Sequence, residues 1–427
     1  GKYLAQFLLR RDGSENFPKN KRWGIFPGVS VGWRISEESF FKDNLSFIDN
    51  LKLKASYGEQ GNDRISAFQY LMLYQYGRSQ VFYENNNKTS YNGIYPSVFP
   101  NPEVTWEVAK TTNIGLEGTF RGGKLGLEAE VFRTRRSNIL ITRNASVPAY
   151  TGLTSLPAEN IGIVDNKGFE LQLSSAGKYD DLIYNITGNF TFARNTVVYM
   201  DETPYGEGYD YLNAEGHPMG SRLLYQVIGI NKTADYLKGY PQMAGAGPGD
   251  FVFEDVDGDG KITSYDRRRE DLSTIPEIVF GATFDAQWKN FDFMMLLQGQ
   301  ARVKYYISPR IDPQEGNIMQ VVADGRWSPA TPDNNKPGIG GTINNAGVYP
   351  ATYWHRDASF LRLKNLEIGY TLPPLAFLSN GKLRIYVGGY NLLTFDTLKI
   401  VDPESNATEG AYYPQLRIYN AGIKLTF

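Results

Sequence analysis

The chain is expected to be all-β, a transmembrane antiparallel β-barrel. Three observations lead there. Apolar and polar residues alternate with period two through much of its 427 residues. Aromatic residues make up 14% of it, with 29 Tyr foremost, as suits rings that are greasy at one end and wet at the other. The last residues form an alternating strand, with Tyr419, Ala421, Ile423, Leu425 and Phe427 on one face and Asn420, Gly422, Lys424 and Thr426 on the other. A barrel strand needs an apolar lipid face, allows a polar lumen face and carries aromatics at its rims.

The elements follow in order. Residues 1–9 start as a strand, and Arg11-Asp12-Gly13 reads as a tight turn directly after it. Leu51, Leu53, Ala55 and Tyr57 alternate with Lys52, Lys54, Ser56 and Gly58. The run at 68–76 is a weaker strand candidate. Leu125, Leu127, Ala129 and Val131 alternate with Gly126, Glu128 and Glu130, and Phe169, Leu171 and Leu173 with Glu170, Gln172 and Ser174. Phe190 and Phe192 mark a further strand. Phe280, Phe284 and Trp288 should face lipid, while Asp285 and Gln287 face the lumen. Lys289-Asn290 then turns the chain into a strand of Phe291, Phe293, Met295 and Leu297. Within 359–372 the apolar phase switches at Asn365, which predicts a β-bulge. Leu383, Ile385 and Val387 carry the penultimate strand. The total is roughly fourteen strands of the ~9–11 residues that a tilted bilayer crossing needs. Some connections are tight, such as Arg121-Gly122-Gly123; others, at 200–275 and 305–356, are long and rich in Gly, Pro, Asn and Asp. Short turns on one side and long loops on the other suit a barrel.

Composition excludes several functions. A net charge of −2 and a pI near 5.9 advertise no nucleic-acid partner. Without cysteine there are no disulfides, thiolate metal sites or cysteine nucleophiles. The two histidines, His217 and His355, lie in loop-like sequence, and ordinary polar roles are expected for both. Gly245-Ala-Gly-Pro-Gly249 follows no strand–helix unit and lacks a Lys-Ser/Thr pair, so it is no phosphate cradle. Arg267, Arg268 and Arg269 read as a solvated charge cluster. No catalytic residue and no enzyme activity are expected. No apolar run approaches the ~20 residues of a membrane helix, which leaves the barrel untouched.

One motif carries metal chemistry. Asp255, Asp257 and Asp259 fill positions 1, 3 and 5 of a calcium-loop spacing, Gly260 makes the turn at position 6, Lys261 offers a carbonyl at position 7 and Asp266 closes at position 12. Hard oxygen ligands at this spacing converge on a cation of calcium size. Asp is shorter than the usual Glu at position 12, so affinity should be lower. The strand-like 249–254 before it rules out a paired helix–loop–helix sensor. The same residues also suit a metal-free loop of Asx turns. Exposed aromatics in the long loops, Tyr205, Tyr209, Tyr211, Trp327 and Tyr353, could stack on sugars, though loop self-packing or rim anchoring fits each as well.

Several blocks resemble the SusC/RagA family of TonB-dependent transporters. Arg11-Asp-Gly-Ser14 precedes Trp23-Gly-Ile-Phe-Pro27 and Gly32-Trp-Arg-Ile-Ser36. Leu53-Lys-Ala-Ser-Tyr-Gly58 precedes Asn101-Pro-Glu-Val-Thr-Trp-Glu107 and Thr112-Asn-Ile-Gly-Leu-Glu117. Asn166-Lys-Gly-Phe-Glu-Leu171, Asp357-Ala-Ser-Phe-Leu-Arg-Leu-Lys-Asn365, Gly369-Tyr-Thr-Leu-Pro373 and Asn391-Leu-Leu-Thr-Phe395 continue to the Phe terminus. The blocks cover nearly the whole chain in the family's order. The resemblance implies import of oligosaccharides or peptides across the bacterial outer membrane, beneath a SusD-like surface lipoprotein, driven through TonB-ExbB-ExbD. It also implies a terminal strand read by the assembly machinery, here Tyr419, Ile423, Leu425 and Phe427. Such transporters are about 22-stranded with a plugged lumen. Residues 1–427 are therefore expected to be the C-terminal part of that barrel, with plug and N-terminal strands elsewhere. A TonB-dependent siderophore or cobalamin receptor, and a surface β protein that binds glycans without transport, remain as alternatives.

Overall fold

The computed structural model describes residues 1–427 except 43–44, 85–86, 144–155, 203–204, 234–238, 309–318, 340–342, 346, 374–380, 406–412, 414 and 427. In chain order the strands begin with β1 (Tyr3–Gly13), β2 (Trp23–Arg34) and β3 (Ile48–Asn62). A hairpin of β4 (Leu73–Glu84) and β5 (Asn87–Val98) precedes β6 (Glu107–Phe120), β7 (Leu125–Thr142), β8 (Ala158–Tyr179) and β9 (Leu182–Tyr199). One long loop holds the short β10 (Leu223–Tyr225), β11 (Val227–Ile230), β12 (Phe251–Phe253) and β13 (Arg267–Arg269). Then come β14 (Ile278–Trp288), β15 (Phe291–Ala301), the short β16 (Lys304–Tyr306) and β17 (His355–Asp357), β18 (Phe360–Thr371), β19 (Lys382–Asp396) and β20 (Ile418–Thr426).

Twelve of these build one antiparallel sheet in the order β1-β2-β3-β6-β7-β8-β9-β14-β15-β18-β19-β20. Among the described residues fourteen strands are nine residues or longer, in line with the roughly fourteen of membrane length expected from period two, and all but β4 and β5 join this sheet. The 68–76 candidate is not in it: the chain there runs into β4, which pairs only with β5 inside the connection from β3 to β6. Alternation reports a strand with two unlike faces, and a hairpin outside the sheet has those too. The Arg11-Asp12-Gly13 turn is also corrected. These residues pair with Ile25, Gly24 and Trp23 as the end of β1, and the reversal falls at 14–22.

Register separates the faces. Trp33, Leu53, Leu116, Ala129, Leu171, Phe190 and Phe280 face one another in a single row across seven neighbouring strands. One residue along, the row reads Lys52, Glu117, Glu128, Gln172, Asn189, Gly281, Gln298, Arg362 and Thr394. A one-residue step swaps a wholly apolar row for a polar one, so any slip would put charges in hydrocarbon. Phe284 and Trp288 share the apolar face with Ile186 and Leu182; Asp285 and Gln287 share the other with Asn185 and Asp292. The bulge falls where Asn365 breaks the phase, between Leu363 and Asn365 on β18.

The connections sort by side. At one end, β14 turns into β15 through Lys289-Asn290, with Lys289 at φ 51°, the left-handed backbone that two-residue hairpins favour. Arg121, Gly122 and Gly123 also have positive φ, and the Asp49 carboxylate accepts from both glycine N–H groups at 3.0 and 2.9 Å. At the other end lie the long loops, and these hold the buried cores. Phe17, Phe26, Val104 and Trp106 form one. The 200–277 and 302–359 loops share a larger one around Leu224, Phe251, Phe253, Tyr306, Ala351 and Trp354. Val303, Tyr305, Ile307, Ala358 and Leu398 form a third, which joins the last loop to the 302–359 loop.

Candidate functional site

The site is the polar wall of the sheet and the loop cluster that caps one end of it. Low on the wall, Lys54 Nζ reaches Glu117, Glu128 and Glu130 at 3.0, 2.8 and 3.0 Å, and Lys52 reaches Glu117 at 2.8 Å. Across the sheet, Arg384 pairs with Asp292 and Glu367. Charges of both signs on strands held at ~4.8 Å spacing make a hydrated wall that favours polar solutes over apolar ones.

Higher up, the last loop folds onto this wall. Arg362 is 1% exposed. Its Nη2 donates to both Asp402 oxygens at 2.8 and 2.9 Å, its Nη1 to Glu404 and its Nε to Thr394 Oγ1 at 3.0 Å. Lys364 adds a 3.0 Å contact to Glu404, and Gln300 donates to the Pro403 carbonyl at 3.1 Å. Residues 402–404 are thereby strapped to β15 and β18.

The two longest loops form one module. Its hub is Asn344, 3% exposed. Its Nδ2 lies 2.9 to 3.1 Å from the Gly249 and Gly338 carbonyls and Asp250 Oδ1. Its Oδ1 accepts from Phe251 N at 2.9 Å and its carbonyl from Trp354 Nε1 at 3.2 Å. A second clasp is Glu270, whose Oε2 takes Lys304 Nζ at 2.7 Å and His355 Nδ1 at 3.2 Å. The His355 hydrogen bond, helped by Lys304, overcomes the burial penalty and holds the Glu270 carboxyl down to about 2. His355 is therefore a buried structural partner, not an ordinary solvated loop residue. His217 is the milder case, 3.4 Å from Asp271. Where the module leaves the wall, Glu277 sits 2.6 Å from both Arg194 and Arg302.

The acidic loop lies in this module. Asp255 accepts from the N–H groups of Gly258 and Gly260 at 2.9 and 3.0 Å, Asp257 from Asp259 at 3.1 Å, and Asp259 from Lys261 at 2.8 Å. This winding brings oxygens of Asp255, Asp257 and Asp259 within 4.8 Å of one another. Asp266 is not in that group. It is fully buried beneath, accepting from Val256 N at 2.7 Å and Thr263 N at 2.6 Å, which holds the loop closed. The arginines that follow are not all solvated: Arg269 donates to the carbonyls of Leu212, Asn213 and Ser221.

Most of the aromatic candidates are committed to packing. Tyr209 stacks on Tyr265 at 4.8 Å, and Tyr211 donates to the Tyr265 carbonyl at 2.9 Å. Burial first, then the Asp257 charge, pushes the Tyr209 hydroxyl's pKa up. Tyr353 packs between Trp354 and Phe251 at 4.9 and 5.1 Å. Trp327 donates to the Lys232 carbonyl at 3.0 Å, with its ring against Gly249. Tyr205 stays exposed. On the terminal strand, Tyr419, Ile423 and Leu425 pair with Gly389, Ile385 and Leu383 and continue the apolar face; Phe427 lies outside the described residues. No sequence signal marked Arg362, Asn344 or Glu277, because each is defined by partners remote in the chain.

Residues 1–392 match the family described as TonB dependent receptor-like, beta-barrel. TonB-dependent receptor P3 of Formosa agariphila is 29% identical over the whole chain, which covers 44% of that protein. TonB-dependent receptor SusC of Bacteroides thetaiotaomicron is 26% identical, again over the whole chain and 42% of the relative. The chain thus spans less than half the length of these relatives. Among solved structures, that of the RagAB peptide transporter superposes on all of the chain and 46% of its own with a TM-score of 0.76 at 24% identity, a likeness of fold.

Proposed function

Because the chain belongs to the TonB-dependent receptor-like β-barrel family of the outer membrane, in its SusC/RagA group, we propose that it forms the C-terminal wall and loop cap of an active nutrient importer. In this reading the twelve strands are part of a larger closed barrel, since among the described residues β1 and β20 each pair on one side only and open edges are not tolerated in hydrocarbon. The observation that supports import best is the charged wall running up to a cored loop module: a polar path with a structured mouth. Passage is gated, not catalytic. Loops and a SusD-like lipoprotein bind an oligosaccharide or a peptide, and energy from TonB-ExbB-ExbD opens the lumen.

The test is uptake by cells carrying the full-length protein, with labelled oligosaccharides and labelled peptides offered separately. One class should enter, and dissipating the proton gradient should abolish entry. Ferric siderophore or cobalamin uptake in place of both would reassign the substrate, and glycan binding at the surface with no energy-dependent entry would remove transport. Co-purification of a surface lipoprotein tests the partner.

The acidic loop is proposed to hold a calcium ion. The donor set fits: three carboxylates converge, with oxygens within 4.8 Å of one another. Asp255, Asp257 and Asp259 would be side-chain ligands, the Lys261 carbonyl would join them, and Asp266 would shape the loop from below. The ion would stiffen the module. Calorimetric titration of the full-length protein should show calcium heat at ~10⁻⁴–10⁻³ M that Asp257→Ala removes; its absence in the parent would reduce the motif to a turn.

A further inference from the structure

The apolar face does not end evenly. On β14 it runs from Trp288 to Ile278, ten steps of ~3.3 Å; at a tilt near 40° this is ~25 Å, the height of a barrel's lipid-facing band. Ile278 faces Phe192. Two residues on, still on the outward face and on the long-loop side, comes Arg194. It faces Lys167, which faces Arg133. Three cations on three adjacent strands thus share one row, just above the hydrocarbon. Lys110 and Arg135 face each other in the next row outward.

Like charges directly opposite one another destabilise a sheet, so the row needs anions. The protein supplies some. Asp165, 8% exposed, lies 2.6 Å from Arg133 and 3.3 Å from Arg135. Glu277, 6% exposed, holds Arg194, and Glu59 lies 3.3 Å from Lys110. The carboxylates are the more buried members and the bases are splayed outward. Lys167, exposed in the middle of the row, has no salt-bridge partner among the described residues. Outward cations exceed the acids beneath them at the level where long-loop ends meet the outer leaflet. That leaflet, in a bacterial outer membrane, is built of phosphorylated glycolipid.

We propose that the outward row Arg133–Lys167–Arg194, with Lys110 and Arg135 above it, binds the phosphate groups of the outer-leaflet glycolipid. Charge complementarity selects this occupant: a phosphate centred on Lys167 would relieve repulsion from both flanks and accept from the guanidinium edges left free by Asp165 and Glu277. A neutral lipid would leave the row uncompensated. The inference rests on membrane placement and not on what is imported.

Native mass spectrometry of the full-length protein in detergent, titrated with purified lipid A, tests it. The parent should bind phosphorylated lipid A. Lys167→Gln breaks no ion pair, so it should fold normally, and it should weaken binding about fivefold, as loss of ~1 kcal/mol per basic residue implies. The double variant Arg133→Gln/Lys167→Gln should weaken it about 25-fold by the same measure. Enzymatically dephosphorylated lipid A should bind weakly to the parent and both variants alike. Equal retention of phosphorylated lipid by parent and Lys167→Gln, or equal binding of the dephosphorylated form, would overturn the proposal. Inorganic phosphate that binds the parent without lipid, and is lost in Lys167→Gln, would assign the patch to free anions and reject the lipid.

Discussion

The sheet and the loop module are stabilised in opposite ways. Among the described residues the sheet has little core of its own, Phe26 on β2 being its one member of the clusters above. Its apolar side chains, Val131, Phe169, Ile114 and Ile423 among them, point away from the protein and are largely exposed on it. Their solvent is lipid, and what holds the strands is the hydrogen-bond ladder, which hydrocarbon makes obligatory. The module is the reverse. Its strands are three or four residues long, and it is held by a buried aromatic core and fully used polar hubs. The first region is an inside-out protein and the second an ordinary one; apolar substitutions should therefore mean different things in each.

The largest contrast is expected from truncation in the core. Phe251→Ala, at a fully buried position, should destabilise the module by ~3–5 kcal/mol, while Val131→Ala on the outward face should cost under ~1 kcal/mol, because lipid refills the space. Limited proteolysis of the loops against heat-modifiability of the barrel reads the two separately. Similar losses from both would erase the distinction. Arg362→Ala should also cost ~3–5 kcal/mol, since it strands Asp402 and Glu404 beside a buried gap; release of the 402–404 strap to protease is the readout. Phe284→Arg, near the middle of the outward band, should cost ~2–4 kcal/mol, whereas Phe284→Leu should be nearly silent. Asn344→Ala should cost ~1–3 kcal/mol for unmet hydrogen bonds, confined to the module. The smallest effect is expected from acid. Glu270 is held at about 2 against an ordinary 4.5, so its contribution is complete above about 4.5 and is lost as pH falls toward 2. Loop proteolysis that rises between pH 4.5 and 3 in the parent, but not in Glu270→Gln, would sharpen that assignment.

The same contrast explains what could be read from the residues alone. Period two, the bulge at Asn365 and the turn at Lys289-Asn290 are local, and the bilayer enforces them without tertiary help. Strand length and alternation do not say which strands share a sheet: β4 and β5 are as long as β2 and β18 yet pair only with each other. In the module the meaning of a residue depends on distant partners: Arg362 on Asp402 and Glu404, Asn344 on Gly249 and Gly338. Tyr209 and Tyr211 show the cost. As isolated loop tyrosines they suit a sugar platform, yet Tyr265, over fifty residues on, takes the ring of one and the hydroxyl of the other. The acidic loop was legible because its spacing lies within twelve consecutive positions, and even there the burial of Asp266 was not.

Glu277 carries a mechanical consequence. It joins Arg194, on the last stretch of β9, to Arg302, just past β15, and its own backbone bonds to Ala193 and Arg302. Both long loops are rooted within a few residues of it. The module is thus a cantilever clamped at its base, and any force that tilts it has its longest lever arm against that one carboxylate. A pair of spectroscopic labels flanking Glu277 would serve as a strain gauge, registering load at the mouth before the rest of the wall moves.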